Sequence, residues 1–182
     1  MVYKKLLNSQ LSRITPEQYK TINKLPVVLI LDNIRSQHNI GAAFRTADAF
    51  AIEKIYLCGI CAVPPSAEIR KAALGAEESV EWEYCEDTLT LVKKLKDGGV
   101  TPLSVEQTVN SVMLNKFIPE QGKKYALIFG NEVKGVSQNV VDICDGTIEI
   151  PQFGTKHSLN VSVSVGVVLW EVASKMGNLF ER

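Results

Sequence analysis

The run Val27-Val-Leu-Ile-Leu31 narrows the possible folds more than any other stretch of the chain, because it is apolar throughout with no polar alternate. A strand with one wet face alternates apolar and polar residues, so an unbroken run predicts a strand covered on both faces. Around it, strand-like and helix-like segments alternate. Further strands are expected at Lys54 to Cys58, Val80 to Tyr84, Val100 to Val105, Tyr125 to Phe129 and Thr147 to Ile150. Helices are expected at Asn39 to Phe50, with Asn39 placed to cap it, and at Ser66 to Leu74, closed by Gly75. Thr88 to Lys96 and Ser137 to Val141 complete the set. This alternation predicts an α/β domain with a mostly parallel sheet. Pro64-Pro65 and Gly98-Gly99 read as loops within one domain, and no internal repeat or linker interrupts the pattern.

A length of 182 residues suits one domain that buries about 70% of its unfolded surface. The 20 basic and 20 acidic residues cancel, so net charge neither predicts nor excludes a polyanionic partner. Their distribution is uneven. Met1 to Lys24 carries Lys4, Lys5, Arg13, Lys20 and Lys24 against Glu17 alone, a local +4 that leaves the remainder at −4. Such a basic arm reads either as an RNA contact or as a solvated amphipathic helix. Nothing at the start resembles a signal peptide, and the apolar stretch Val165 to Trp170 is too short to cross a bilayer. A soluble, cytoplasmic protein with no membrane partner is the expectation. Cys58-Gly-Ile-Cys61 has the spacing of a redox or zinc pair, but no second pair or paired histidines complete a tetrahedral site. No metal is therefore expected, and the four cysteines read as reduced structural thiols.

Ile150 to Val165, IPQFGTKHSLNVSVSV, sets Ser158, Asn160, Ser162 and Ser164 inside an otherwise apolar run. A hydroxyl or amide buried without a partner costs roughly 1 to 3 kcal/mol, so this segment is expected to surround a polar network or a ligand. Its period of two predicts a strand, whereas the continuation through Gly166, Leu169, Trp170 and Ala173 suits a helix. Two further stretches share this polar-in-apolar character: Asn39-Ile-Gly41-Ala-Ala-Phe-Arg45 and Phe129-Gly130-Asn131-Glu132-Val-Lys-Gly135. Open α/β sheets bind ligands beyond the carboxyl ends of their strands, and each of the three stretches follows an expected strand. G-x-G-x-x-G after the first strand, a P-loop and G-x-S-x-G are all absent, which argues against dinucleotide, P-loop nucleotide and serine-hydrolase chemistry.

The order N-x-G-x-x-x-R, F-G-N-E-x-x-G, I-P-x-x-G-x-x-x-S-L-N-V-S resembles the three motifs of the SpoU (TrmH-like) RNA 2′-O-ribose methyltransferases of the SPOUT superfamily. It covers about Pro26 to Lys175. The resemblance implies a C-terminal deep trefoil knot, a helix from Ser158 onward, and division into a basic helical segment over 1–24 and a methyltransferase domain over 25–182. It implies S-adenosylmethionine as cofactor, held largely by backbone at Gly130, Ile150 and Leu159, with Leu103 a weaker match. Glycines 130, 135 and 154 suit close backbone approach.

Arg45 matches the arginine that the family places beside the reacting ribose hydroxyl. Guanidinium groups keep their proton in proteins, so its expected role is to fix the adjacent phosphate and stabilise the developing alkoxide. Pairing with Asp48 or Glu132 is the structural alternative. Asn39 matches a residue that arranges Arg45, or simply caps the helix. Glu132 is expected to hold loops together through Asn39 or Arg45, and Ser158 and Asn160 to position the substrate phosphate or the cofactor loop. His38 and His157 read as solvated neighbours. Family members are homodimers that share the site, with Val161, Val165 and Trp170 expected at the interface. Dimerisation would also widen a cationic footprint of Lys4, Lys5, Arg13, Arg35 and Lys156 for RNA. Gln152 and Phe153 replace the usual methionine after Ile-Pro, and Ser164 a frequent alanine. Without the separate N-terminal RNA-binding domain of several rRNA-modifying relatives, tRNA is favoured over rRNA. The alternatives are a catalytically inactive knotted RNA-binding or assembly factor, and a nucleotide-binding domain of unrelated chemistry.

Overall fold

The computed structural model describes residues 1–11 and 13–176; residues 177–182 of the expected domain lie outside the described residues. In chain order the elements are α1 (Pro16–Thr21), β1 (Leu25–Asp32), α2 (Gln37–Ala49), β2 (Ile52–Cys58), α3 (Ala67–Ala73), α4 (Ala76–Ser79) and β3 (Trp82–Cys85). Then follow α5 (Thr88–Asp97), β4 (Thr101–Val105), β5 (Val112–Met113), β6 (Tyr125–Phe129), α6 (Gln138–Val141), β7 (Gly146–Glu149) and α7 (Val161–Met176). The strands form one sheet in the order β3-β2-β1-β6-β4-β7-β5, and every described strand pair is parallel.

The apolar run of β1 is buried on both faces, as its unbroken pattern requires. Val27, Leu29 and Leu31, with Tyr125, Leu127 and Phe129 of β6, enter a core filled by Ile40 and Phe44 of α2 and by Val168 and Leu169 of α7. Val28, Ile30, Ala126 and Ile128 enter a second core on the other face, against Leu91 and Val92 of α5 and Val140 of α6. Each fully buried leucine or isoleucine contributes roughly 1.5 to 3 kcal/mol relative to exposure. None of the described helices is long and apolar enough to cross a membrane.

Several boundaries differ from the sequence reading, and each difference has a local cause. Ser36, not Asn39, caps α2, its Oγ accepting from the Asn39 N–H at 3.2 Å. Leu74 itself takes the left-handed conformation that ends α3, and Gly75 opens α4 instead. The period-two pattern after Ser158 belongs to a helix, but one that starts at Val161; Asn160 precedes it, its Oδ1 accepting from the Ser162 N–H at 2.9 Å and Oγ at 2.7 Å. Among the described residues of 1–24, only Pro16–Thr21 is α-helical, opened by a capping box between Thr15 and Gln18. Burial pushes the Cys58 thiol up to about 12 and the Cys61 thiol up to about 11. Cys61 Sγ accepts from the Ile34 N–H and donates to the Leu31 carbonyl, both at 3.2 Å, the pattern of a structural thiol.

At the carboxyl end of β1, Asp32 is 1% exposed and serves as the common acceptor for three side chains. Its Oδ1 takes the Thr88 hydroxyl of α5 at 2.6 Å and the Asn33 amide at 2.8 Å. Its Oδ2 takes the Ser137 hydroxyl at 3.2 Å, just ahead of α6. Removing the carboxylate leaves the buried Thr88 hydroxyl without its partner and releases the half-buried Asn33 amide and the Ser137 turn, which costs on the order of 3 kcal/mol. Asp32→Ala is therefore expected to lower the urea midpoint by that equivalent, and Asp32→Asn, which keeps one acceptor, by less. A midpoint unchanged in Asp32→Ala would remove this carboxylate from the fold's support.

Candidate functional site

The parallel register aligns Leu31, Phe129, Val105 and Ile148 in one row across β1, β6, β4 and β7. Four turns therefore leave the sheet side by side at one edge. Strands β1 to β3 build outward in one direction and β4 returns on the far side of β6, which makes the β1–β6–β4 region the switch point where open sheets form a ligand crevice. The Gly130–Gly135 turn is wedged between its neighbours. Asn131 and Gly135 exchange backbone hydrogen bonds of 3.1 and 2.8 Å, and Asn131 Oδ1 accepts from the Val133 and Lys134 N–H groups at 3.0 and 3.2 Å. A Cβ on Gly130 would lie 2.0 Å from both the Gly135 carbonyl carbon and the Val136 nitrogen. Only glycine permits that closure. Gly154 has open space where a Cβ would stand, so close approach does not explain it.

Glu132 ties this turn to the start of α2. Its carboxylate accepts from the Arg35 N–H at 3.2 Å, the Ser36 N–H at 3.3 Å and the Asn39 side-chain amide at 3.2 Å. Burial alone would raise the Glu132 carboxyl, but these hydrogen bonds and its own backbone N–H hold it below its ordinary value. On the other side, Glu106 Oε2 accepts from the Val136 N–H at 3.0 Å, and the Gln107 amide donates to the His157 carbonyl at 2.8 Å. Glu149 accepts the Ser111 hydroxyl. Glu106, Gln107 and Glu149 are the site residues that sequence reading missed; their only sequence signal was position, immediately after β4 or at the end of β7.

These turns enclose a cleft of about 670 Å³, within the roughly 300 to 1,000 Å³ of small-molecule sites. Gly130, Glu132, Ile150, Ser158, Leu159 and Asn160 all line it. The four alternating polar residues are not a buried network: Ser158 and Asn160 are exposed, and Ser162 and Ser164 are half-buried on α7. Leu103 is not brought to the cleft. It lies mid-strand in the core, and Val105 to Thr108 line the cleft in its place. Asn39 is buried behind the Glu132 carboxylate. Arg45 is exposed on α2 and outside the cleft, and among the described residues it pairs with neither Asp48 nor Glu132. Lys4, Lys5, Arg13, Arg35 and Lys156 are exposed and likewise outside the described ion pairs.

Helix α7 presents two apolar faces. Val165, Val168, Leu169 and Val172 are buried at helical spacing, while Val163, Val167 and Trp170 stand exposed at i, i+4 and i+7. Val165 therefore belongs to the core and not to an interface, and Val161 is packed against that core. The exposed face borders an apolar groove with Leu114, Ile150 and Pro151.

The profile of the SpoU rRNA Methylase family matches residues 26–170. The chain is 32% identical over 152 residues to the 23S rRNA (guanosine-2′-O-)-methyltransferase RlmB of Neisseria meningitidis, an alignment covering 84% of this chain and 60% of that protein. The chain thus spans about three fifths of this curated relative's length. The TrmH/SpoU tRNA modifying enzyme of A. aeolicus superposes with a TM-score of 0.78 at 26% identity, over 88% of this chain and 80% of that one. An AdoMet-bound rRNA methyltransferase from Sinorhizobium meliloti gives 0.77 at 26% identity, over 91% and 62%.

Two outcomes follow from this geometry. Gly130→Ala forces backbone apart and is expected to cost more than about 2 kcal/mol, with loss of amide-exchange protection at Asn131 and Gly135; retained protection would contradict the closure argument. Because the Glu132 value is lowered by folding, its contribution to stability is full above the ordinary glutamate value of 4.5 and fades as pH falls through the lowered one. The difference in melting temperature between wild type and Glu132→Gln should accordingly be present at neutral pH and shrink below pH 4.5.

Proposed function

Since the chain belongs to the SpoU rRNA methylase family, we propose that it transfers a methyl group from S-adenosylmethionine to a ribose 2′-hydroxyl of RNA. The observation that carries this reading is the convergence of separate motifs on one cleft. Gly130 to Gly135, Ile150 and Ser158 to Asn160 line it, and Glu132 fastens the start of α2 beside it. The donor set fits the cofactor: a cleft of suitable volume, backbone brought in closely at Gly130, and apolar Ile150 and Leu159 for an adenosine moiety. When bound, the cofactor supplies an electrophilic sulfonium methyl. The β1–β6–β4 turns hold the cleft rigid, and orientation of two reactants within it lowers the barrier by several kcal/mol. The insertion of β6 between β1 and β4, and the return of α7 across the face carrying α2, support the deep trefoil knot.

Arg45 supplies the cation for the phosphate and the developing alkoxide. It stands outside the cleft of its own chain and, among the described residues, in no ion pair, which supports a homodimer in which it serves the partner's cleft. The exposed stripe of Val163, Val167 and Trp170 on α7 supports the same assembly. Ser158 donates to a substrate oxygen, a role supported by its exposure in the cleft lining. Asn160 acts by holding the start of α7, and Asn39 and Glu132 by setting the start of the helix that bears Arg45. Likeness to a tRNA modifying enzyme supports tRNA, likeness to a 23S rRNA methyltransferase supports rRNA, and tRNA is taken first.

Incubation with methyl-labelled S-adenosylmethionine and separate unmodified tRNA and rRNA pools, followed by digestion to nucleosides, tests the reading. Label is expected in a 2′-O-methyl nucleoside from the tRNA pool, with the rate reduced on the order of 10² to 10³ in Arg45→Ala. Label from rRNA alone would reassign the substrate. Cofactor binding with transfer to neither pool would identify an inactive RNA-binding factor.

A further inference from the structure

The two turns that frame the cleft mouth carry the same pair of features. Phe153, between the cleft-lining Gln152 and His157, is 97% exposed, and Lys156 follows three residues later. Across the cleft, Val133 is 80% exposed and Lys134 follows directly. Neither lysine belongs to a described ion pair. Phe153 is the most exposed aromatic among the described residues and makes no described ring contact. A phenyl group so placed buries almost nothing in the fold. The carboxylates nearby are engaged: Glu132 with the start of α2, Glu106 with the Val136 and Gln107 N–H groups, Glu149 with Ser111. These carboxylates keep their charge but are turned to neutral donors, so the rim is an aromatic face flanked by two lysines outside the described ion pairs.

That combination matches unpaired RNA, in which bases stack on aromatic faces while cations track the phosphates. We propose that Phe153 is the stacking platform for a nucleobase next to the target ribose, with Lys134 and Lys156 holding the flanking phosphates, so that the substrate is an unpaired nucleotide and not a duplex. The proposal rests on the reading of the chain as an RNA-modifying enzyme, and it names the form of RNA. A duplex keeps its base faces stacked on one another and offers Phe153 nothing to cover.

The test measures fluorescence anisotropy of a labelled single-stranded RNA of about 12 nucleotides, within the span of single-strand sites, and of the matching duplex. No methyl donor is present, so the outcome is independent of whether transfer occurs. Single strand is expected to bind more tightly than duplex. Phe153→Ala should weaken single-strand binding about 10-fold and Phe153→Trp should restore it. Lys134→Ala with Lys156→Ala should lower the salt slope of binding by about 1.4, at roughly 0.7 per phosphate contact. A 2-aminopurine base in the single strand should be quenched by wild type and not by Phe153→Ala. Equal affinity for duplex and single strand, or unchanged binding by Phe153→Ala, overturns the proposal. A Phe153→Ala protein that loses self-association in sedimentation while binding RNA normally also overturns it, and assigns this rim to a second copy of the chain. Methyl transfer by wild type alongside either result would leave the enzymatic reading standing.

Discussion

Everything at the working edge depends on β6 lying between β1 and β4. With all strands parallel, that insertion sends the Gly130–Gly135 turn out of the sheet between two others that also need space. The chain meets the crowding with a glycine that has no room for a Cβ and with a turn closed on itself through Asn131. Glu132 and Glu106 then bind the neighbouring turns on either side, by donors that are mostly backbone N–H groups. Beneath them Asp32 fixes the end of β1 to α5 and to the Ser137 turn. Cleft geometry is therefore a consequence of strand order enforced by three carboxylates, not of any one loop's own preference.

This use of carboxylates also shapes the electrostatics. A chain with 20 charges of each sign has no net attraction for a polyanion, yet its acidic groups at the cleft accept hydrogen bonds from neighbouring turns. Hydrogen bonding lowers the Glu132 carboxyl in spite of partial burial, which keeps it ionised and bonded to α2 at neutral pH. The side chains of Arg35, Lys134 and Lys156, all on turns beside this cleft, take part in none of the described ion pairs. Local arrangement thus sets lysines outside the described ion pairs beside carboxylates that face inward to neutral donors, a pattern that composition conceals.

Much of the fold was legible, because the signals that define elements are local. Tyr125–Phe129 coincides with its expected strand, and the interior strands were recognisable from apolar runs without alternation. Helix caps were less so: Ser36 and Asn39 are both good capping residues, and only the path of the chain after Asn33 decides which one serves. The serines of α7 misled in a different way. Their alternation imitates a strand, while the spacing of Val165, Val168, Leu169 and Val172 is helical, and side-chain packing against the sheet selects the second pattern.

By itself the sequence determined the alternation of elements, the parallel sheet and the three motifs that follow its strands, since hydrophobic period and turn chemistry act over a few residues. Tertiary structure alone decided which of those residues share a cleft. It buried Leu103 and brought Glu106 and Gln107 in its place, kept Arg45 outside, and turned Val165 inward while leaving Val163 and Val167 exposed. The physical reason is common to all of these: strand order, register and the rotation of a helix about its axis are set by contacts between segments far apart in the chain, and no local pattern carries that information.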